Sequence, residues 1–194
     1  MMAAAAFGQT NDTLTNAVST NAAPVKQTNI VKISAPAKPF QKTVKAGDIA
    51  PLVKGKDQDG KTWKLENEVK HKIVLLYFYP KDDTPGCTKE ACGLRDRMAD
   101  LQKENVEVVG VSFDAPDSHQ KFIAKYKLNF KLIADVDGKI ADTYGVRRKP
   151  AVKVARRASF LIGLDGKVVH VTDVPDANVH LAEMKEAIDK LVKK

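Results

Sequence analysis

From Lys45 onward, apolar residues come in bursts that alternate between strand-like and helix-like spacing. Val53 to Leu65 divides at Gly60 into two short strands. Ile73–Tyr79 is an unbroken β-rich run, the pattern of a strand buried on both faces. Pro85 to about Lys103 places Ala91, Leu94, Met98 and Leu101 at helical spacing. Val106–Phe113 predicts a second buried strand. Pro116 to Tyr126 predicts a second helix, opened by a proline whose missing N–H costs nothing at that position. Lys131–Ala134 is a short strand, and Lys139–Tyr144 a short helix that stops at Gly145. Ser159–Leu164 and Lys167–Val171 flank Asp165-Gly166, a hairpin signal. Ala177–Val192 closes the chain as an amphipathic helix with Leu181, Met184, Ile188 and Leu191 on one face. These elements predict an α/β fold: a central mixed β-sheet with helices on both faces.

Composition narrows the organisation. The 194 residues suit one domain over 46–194, preceded by a segment of different character. Residues 1–45 are rich in Ala, Asn, Thr and Lys, with Asp12 as the sole acid and Phe7 and Phe40 as the only aromatics. Such a segment buries too little apolar surface to offset its ordering, so it reads as a flexible N-terminal tail. Its first residues, Met-Met-Ala-Ala-Ala-Ala-Phe-Gly, are similar to the small-residue end of a secretory signal, without the basic start or apolar core. The compartment therefore stays open between cytoplasmic and, for a signal remnant, periplasmic or exported. No arginine precedes Arg95, which disfavours a plant-type transit peptide. The longest apolar run, Ile73–Tyr79, is far short of the roughly 18 residues of a membrane span.

The net charge of +8 raises the question of an anionic partner. Basic residues are spread along the chain, however, and an aromatic content of 6% offers few stacking platforms for nucleic acid. The expectation is no nucleic-acid partner and no membrane partner.

Chemistry concentrates at the two cysteines, Cys87 and Cys92, in Pro-Gly-Cys-Thr-Lys-Glu-Ala-Cys. Two cysteines make neither a disulfide scaffold nor, without a histidine pair nearby, a good zinc site. Thr84-Pro85-Gly86 is a helix start, with Thr as N-cap and Pro at the first helical position. Cys87 then stands third, where a capping box would hold a carboxylate. Free N–H groups and the helix dipole favour a negative sulfur there, by roughly 0.3–2 kcal/mol. An ordinary thiol is only a few per cent ionised at neutral pH, so a cation has to supply the rest. Lys81, Lys89, Arg95 and the basic run from Arg147, Arg148 and Lys149 through Lys153 to Arg156 and Arg157 are the candidates. Arg157 is best placed, directly before the buried Ser159-Phe-Leu-Ile strand. The competing reading of the run is a solvated basic loop.

Residues five apart on a helix differ by ~7.5 Å in rise and ~140° in direction. A disulfide needs Cα atoms closer than about 7 Å with facing Cβ vectors. Cys87 and Cys92 can pair only if the helix unwinds locally. The bland alternative is two unrelated cysteines, one at a helix start and one in the core.

Phe-Tyr-Pro80-Lys-Asp-Asp-Thr84-Pro-Gly-Cys87-Thr-Lys-Glu-Ala-Cys92 resembles the peroxiredoxin Q, or bacterioferritin-comigratory-protein, type of peroxiredoxin. The resemblance runs from about Ala46 to the C-terminus through Gly-Asp48-Ile-Ala-Pro, Gly-Val-Ser112, Leu-Ile-Ala-Asp135 and Arg157-Ala-Ser-Phe-Leu-Ile. It implies a thioredoxin-like fold and thiol-dependent reduction of hydrogen peroxide and organic hydroperoxides, with no metal or other cofactor. Carried over by position, Cys87 is the peroxidatic nucleophile and Cys92 the resolving thiol. Thr84 hydrogen-bonds the peroxide, Pro80 shields the pocket, and Arg157 holds thiolate and peroxide. The implied partners are a peroxide substrate and a thioredoxin-like reductant, with the protein a monomer.

His71, His119, His170 and His180 match no catalytic position of that family and read as surface residues. The strongly basic Arg147–Arg157 segment departs from the family pattern, which bears on substrate preference and the reductant surface. A thioredoxin-type disulfide oxidoreductase is the rival enzyme reading, but such enzymes separate their cysteines by two residues and this chain by four.

Overall fold

The computed structural model describes residues 43–149 and 151–193, so the predicted 1–45 tail lies almost wholly outside the described residues. Its framework is a seven-stranded mixed sheet built from β1 (Lys54–Asp57), β2 (Thr62–Lys64), β3 (Ile73–Phe78), β4 (Val106–Ser112), β5 (Lys131–Ala134), β8 (Ala158–Ile162) and β9 (Val168–Thr172). The strand order is β2-β1-β5-β4-β3-β8-β9. The parallel pairs β3–β4 and β4–β5 are joined by crossover helices, α1 (Pro85–Lys103) and α2 (Pro116–Tyr126). The remaining pairs are antiparallel.

All six residues of β3 are buried, as its unbroken apolar run requires of a central strand. Alternate side chains enter two cores. Val74, Leu76 and Phe78 point to the face that holds Trp63, Leu65 and Tyr144, where the short helix α3 (Lys139–Thr143) packs through Ile140 and Ala141. Leu75, Tyr77 and Tyr79 point to the other face, covered by α1, by α2 through Phe122, and by α4 (Ala177–Val192) through Met184 and Ile188. Helices therefore cover both faces, three against one. Among the described residues no helix is long and apolar enough to cross a membrane.

One predicted loop is structured. The basic segment forms a small antiparallel hairpin, β6 (Arg147–Lys149) with β7 (Val152–Ala155). Its charges and Pro150 conceal the strand pattern in the sequence. Arg147 is paired with Asp142 and lies over the Phe113 ring, and Arg156 is paired with Asp173. The basic run is thus partly neutralised by acids distant in sequence, while Arg148, Lys149 and Lys153 stay exposed.

The sheet depends on a glycine where β4 meets its neighbours. A Cβ at Gly110 would fall 2.6 Å from the Leu132 side chain and 2.8 Å from the Tyr77 ring and hydroxyl, all deep in the core. Gly110→Ala is expected to destabilise the protein by about 2 kcal/mol through overpacking. Thermal unfolding should show this as a Tm lower by roughly 5 °C.

Candidate active site

β3 delivers the chain to a loop, Tyr79–Thr84, that sets the start of α1. The loop is pinned from below. The buried Asp82 carboxylate accepts hydrogen bonds from Tyr79 Oη (2.7 Å), Ser118 Oγ (2.7 Å) and His119 Nδ1 (2.9 Å). The Asp82 N–H donates to Asp114 Oδ2 at 2.9 Å. Burial alone would raise the Asp82 carboxyl, but the hydrogen bonds from His119, Tyr79 and Ser118 outweigh it and hold it below its ordinary value. Asp83 adopts a left-handed conformation (φ 55°) while its carboxylate meets Lys125 Nζ at 2.7 Å and the Tyr126 hydroxyl at 2.5 Å. Loop and α2 are thereby locked together.

Thr84 stands at the N-cap position with extended backbone, as its sequence context predicts. Its side chain does not cap the helix, however. The hydroxyl donates to the Lys81 carbonyl at 3.1 Å, tightening the loop instead. Pro85 occupies the first helical position and Cys87 the third, with the sulfur buried at 2% exposure. Pro80 is half-buried. Cys92 lies further along the unbroken α1, half-buried, and both cysteines are free thiols.

Among the candidate cations, Arg157 reaches the sulfur. It sits immediately before β8, and each of its three nitrogens has a partner. Nη2 donates to Cys87 Sγ at 3.6 Å, Nε donates to the Pro175 carbonyl at 3.0 Å, and Nη1 pairs with Glu90 Oε2. Of the other arginines named from the sequence, Arg148 is exposed and the rest are engaged elsewhere. Arg95 donates to the Tyr126 carbonyl and Asp96, while Arg147 and Arg156 hold the aspartates already described.

Behind Arg157 lie groups that the sequence reading passed over. Glu90 is completely buried, and that burial pushes its carboxyl up to about 8 despite the Arg157 guanidinium. His180 and His119 are fully buried, correcting their reading as surface residues; His71 is exposed and His170 half-buried. Each buried histidine has polar partners in the core, those of His119 at Nδ1 alone. His180 has Ser159 Oγ at 2.8 Å from Nε2 and the Val174 carbonyl at 3.1 Å from Nδ1. Burial pushes it down to about 4, so it is neutral at physiological pH. A signal for both groups was available: Glu90 lies on the Cys87, Leu94, Leu101 side of α1, and His180 beside Ala177 and Met184 on α4. A charged or titratable residue on an otherwise apolar helix face marks a buried polar site. Tyr77 completes the wall, its buried hydroxyl unpartnered and its phenol held neutral by burial.

A buried thiol at a helix start, faced by an arginine and set on a mixed sheet with helices on both faces, defines a thiol-based oxidoreductase of thioredoxin-like fold. Residues 46–171 match the AhpC/TSA family. Peroxiredoxin Bcp of Escherichia coli strain K12 is 44% identical over 135 residues, which are 67% of this chain and 86% of that protein. Among solved structures, the peroxidoxin BcpB of Mycobacterium tuberculosis superposes with a TM-score of 0.71 at 30% identity, over 76% of this chain and 97% of that one. The bacterioferritin comigratory protein of Xanthomonas campestris, described for its alkyl peroxide reduction, gives a TM-score of 0.68 at 25% identity, over 74% of this chain and 98% of that one. The chain belongs to the AhpC/TSA family and is a peroxiredoxin, a thiol-dependent peroxidase.

Two outcomes follow from the geometry. A Cβ at Gly86 would sit 3.1 Å from Arg157 Nη2, so Gly86→Ala should push the guanidinium off the sulfur. The rate of peroxide consumption in stopped flow is expected to fall about tenfold with little change in Tm. Glu90 also makes stability depend on pH. Its folded pKa, about 8, exceeds the ordinary 4.5, so the stability of the neutral form is fully present below 4.5 and lost as pH rises through 8. Melting at a series of pH values should show Glu90→Gln gaining on the wild type steadily across that window.

Proposed function

We propose that Cys87 is the peroxidatic nucleophile, Cys92 its resolving partner, and a thioredoxin-like dithiol the reductant, in a cycle that accepts hydrogen peroxide and organic hydroperoxides. The observation that carries this reading is the Arg157 Nη2 contact with the buried Cys87 sulfur, 3.6 Å long, at the third position of α1. The alkyl peroxide activity of the similar Xanthomonas campestris protein supports the wider substrate range.

In this cycle the Cys87 thiolate attacks one peroxide oxygen. The S–O bond forms as the O–O bond breaks, and the departing hydroxide or alkoxide takes a proton to leave as water or alcohol. Arg157 and the free N–H groups of the first helical turn stabilise the charge moving onto the leaving oxygen. Thr84 turns its hydroxyl from the Lys81 carbonyl to the peroxide, and Pro80 forms the wall that limits water. Cys87 becomes a sulfenic acid. Cys92 then attacks that sulfur and releases water, giving the Cys87–Cys92 disulfide. The external dithiol returns both thiols by exchange.

The two sulfurs start on one intact helix, so the first turns of α1 must unwind for the bond to form. Both thiols lie in one chain, so the cycle closes within a monomer. Residues 46–194 form the peroxidase domain in this reading, with 1–45 a flexible tail ahead of it.

Stopped-flow peroxide consumption tests the assignment. Cys87→Ser is expected to lose activity by about a thousandfold or more, and normal activity in that variant would refute the nucleophile. Cys92→Ser should consume one equivalent of peroxide per chain and then stall with the dithiol; unimpaired cycling would remove its resolving role. Circular dichroism should lose helical signal when the wild type is oxidised by one equivalent of peroxide.

A further inference from the structure

Arg157 faces two groups that compete for the same charge, the Cys87 sulfur and the Glu90 carboxyl. If both were negative, one guanidinium would be shared between two buried anions. The surroundings of Glu90 show how that is avoided. Oε2 is taken by Arg157 Nη1. Oε1 is completely buried, has no hydrogen-bond partner, and lies 3.4 Å from His180 Nε2.

The state of His180 follows from its own contacts. Its Nδ1 is 3.1 Å from the Val174 carbonyl, which can only accept, so Nδ1 carries the hydrogen. Nε2 of the neutral ring then presents a lone pair, with the Ser159 hydroxyl at 2.8 Å. An ionised Oε1 would set lone pair against lone pair, with no hydrogen-bond donor of its own among the described residues. A protonated Oε1 turns its hydrogen toward that nitrogen, sharing at 3.4 Å the lone pair that the Ser159 hydroxyl meets at 2.8 Å, and removes the conflict.

We propose that Glu90 holds a proton oriented by the Ser159–His180 pair, and that this proton leaves Arg157 free to serve the Cys87 thiolate. His180, on α4, is therefore a positioning residue that acts through Glu90. The assignment rests on the reading of Cys87 as the reactive thiol only where it concerns rate. Above the point at which Glu90 ionises, its carboxylate takes up the guanidinium charge and also repels the neighbouring thiolate, so the peroxidase weakens in base.

The groups that face Glu90 agree with this arrangement. Arg157 and Ser159 approach from the start of β8, His180 from α4, Tyr77 from β3, and Cys87 from one turn earlier on α1. Tyr77 stays neutral well beyond its ordinary range, and His180 is neutral above about 4. Within this cluster Glu90 is left to change charge at moderately alkaline pH, because burial puts its carboxyl at about 8.

The test is an infrared pH titration of the reduced protein without peroxide, following the carbonyl stretch that protonated carboxyls have and carboxylates lack. The wild type should show a protonated band at neutral pH that Glu90→Gln removes and that disappears with a midpoint near 8. His180→Leu, lacking the acceptor, should move that midpoint down by about one unit. In parallel, the wild-type rate with hydrogen peroxide should fall about fivefold through the same midpoint, and Glu90→Gln should lack that alkaline limb.

Absence of the Glu90-dependent band at pH near 6.5, a limb that persists in Glu90→Gln, or a midpoint unmoved in His180→Leu overturns the proposal. Where leucine at 180 does not fold, Glu90→Gln carries the decision by itself. The band is read without turnover, so failure of the Cys87 assignment, read from Cys87→Ser, is separable from failure here.

Discussion

One guanidinium organises this molecule's chemistry. Removing a sulfur and a carboxyl from water is costly, and the site offers Arg157 as the cation in direct contact with both to offset it. Arginine suits the task because it remains charged when desolvated and presents donors in a fixed plane. Each edge of that plane has an address: a carbonyl of the segment before α4, a carboxyl on α1, and the sulfur one turn earlier. Lysine could satisfy the charge but not the three directions. The position of Arg157 is in turn dictated by β8, hydrogen-bonded on both sides within the sheet and so unable to shift without disturbing β3 and β9.

The loop that precedes the sulfur is held differently. Asp82 gathers Tyr79, Ser118 and His119 into a buried network, and Asp114 anchors the backbone of the same loop. Burial strengthens such a network only if its members are satisfied, and the Asp82 carboxylate accepts three hydrogen bonds. The loop therefore forms a firm floor tied to β4 and α2, while α1 brings Cys87 to the site in its first turn and Glu90 in its second. In the proposed cycle the start of this helix opens to bring Cys92 to Cys87 while the loop beneath and the sheet behind stay in place. Local opening of this kind is drawn from the least stable part of a structure, and a helix start short of side-chain capping is such a part.

The periodic elements were legible because their cause is local. The helices starting at Pro85, Pro116 and Ala177 and the strands from Ile73 and Val106 are written in spacings of 3.6 and 2 and in proline and glycine punctuation. The hairpin at Arg147–Ala155 was not legible, because its charges look like a solvated run until Asp142 and Asp173 are brought beside them. Thr84 was read as a capping side chain from its type, yet its hydroxyl turns back to Lys81, because loop closure offers a competing carbonyl. His119 and His180 were assigned to the surface by default, and only packing reveals the acids and hydroxyls that make their burial tolerable.

What the chain alone determined was a cysteine at a helix start, a second cysteine five residues on, and the mixed sheet that carries them, since each depends on neighbours in sequence. Tertiary structure decided which of the many basic residues meets the sulfur, and that a glutamate and a histidine stand behind it. Those contacts join Cys87 to Arg157 and Glu90 to His180 across 70 and 90 positions of chain, and no local preference encodes a pairing at that separation. It arises when β8 settles beside β3 and α4 packs against α1, placing groups together that the order of residues keeps apart.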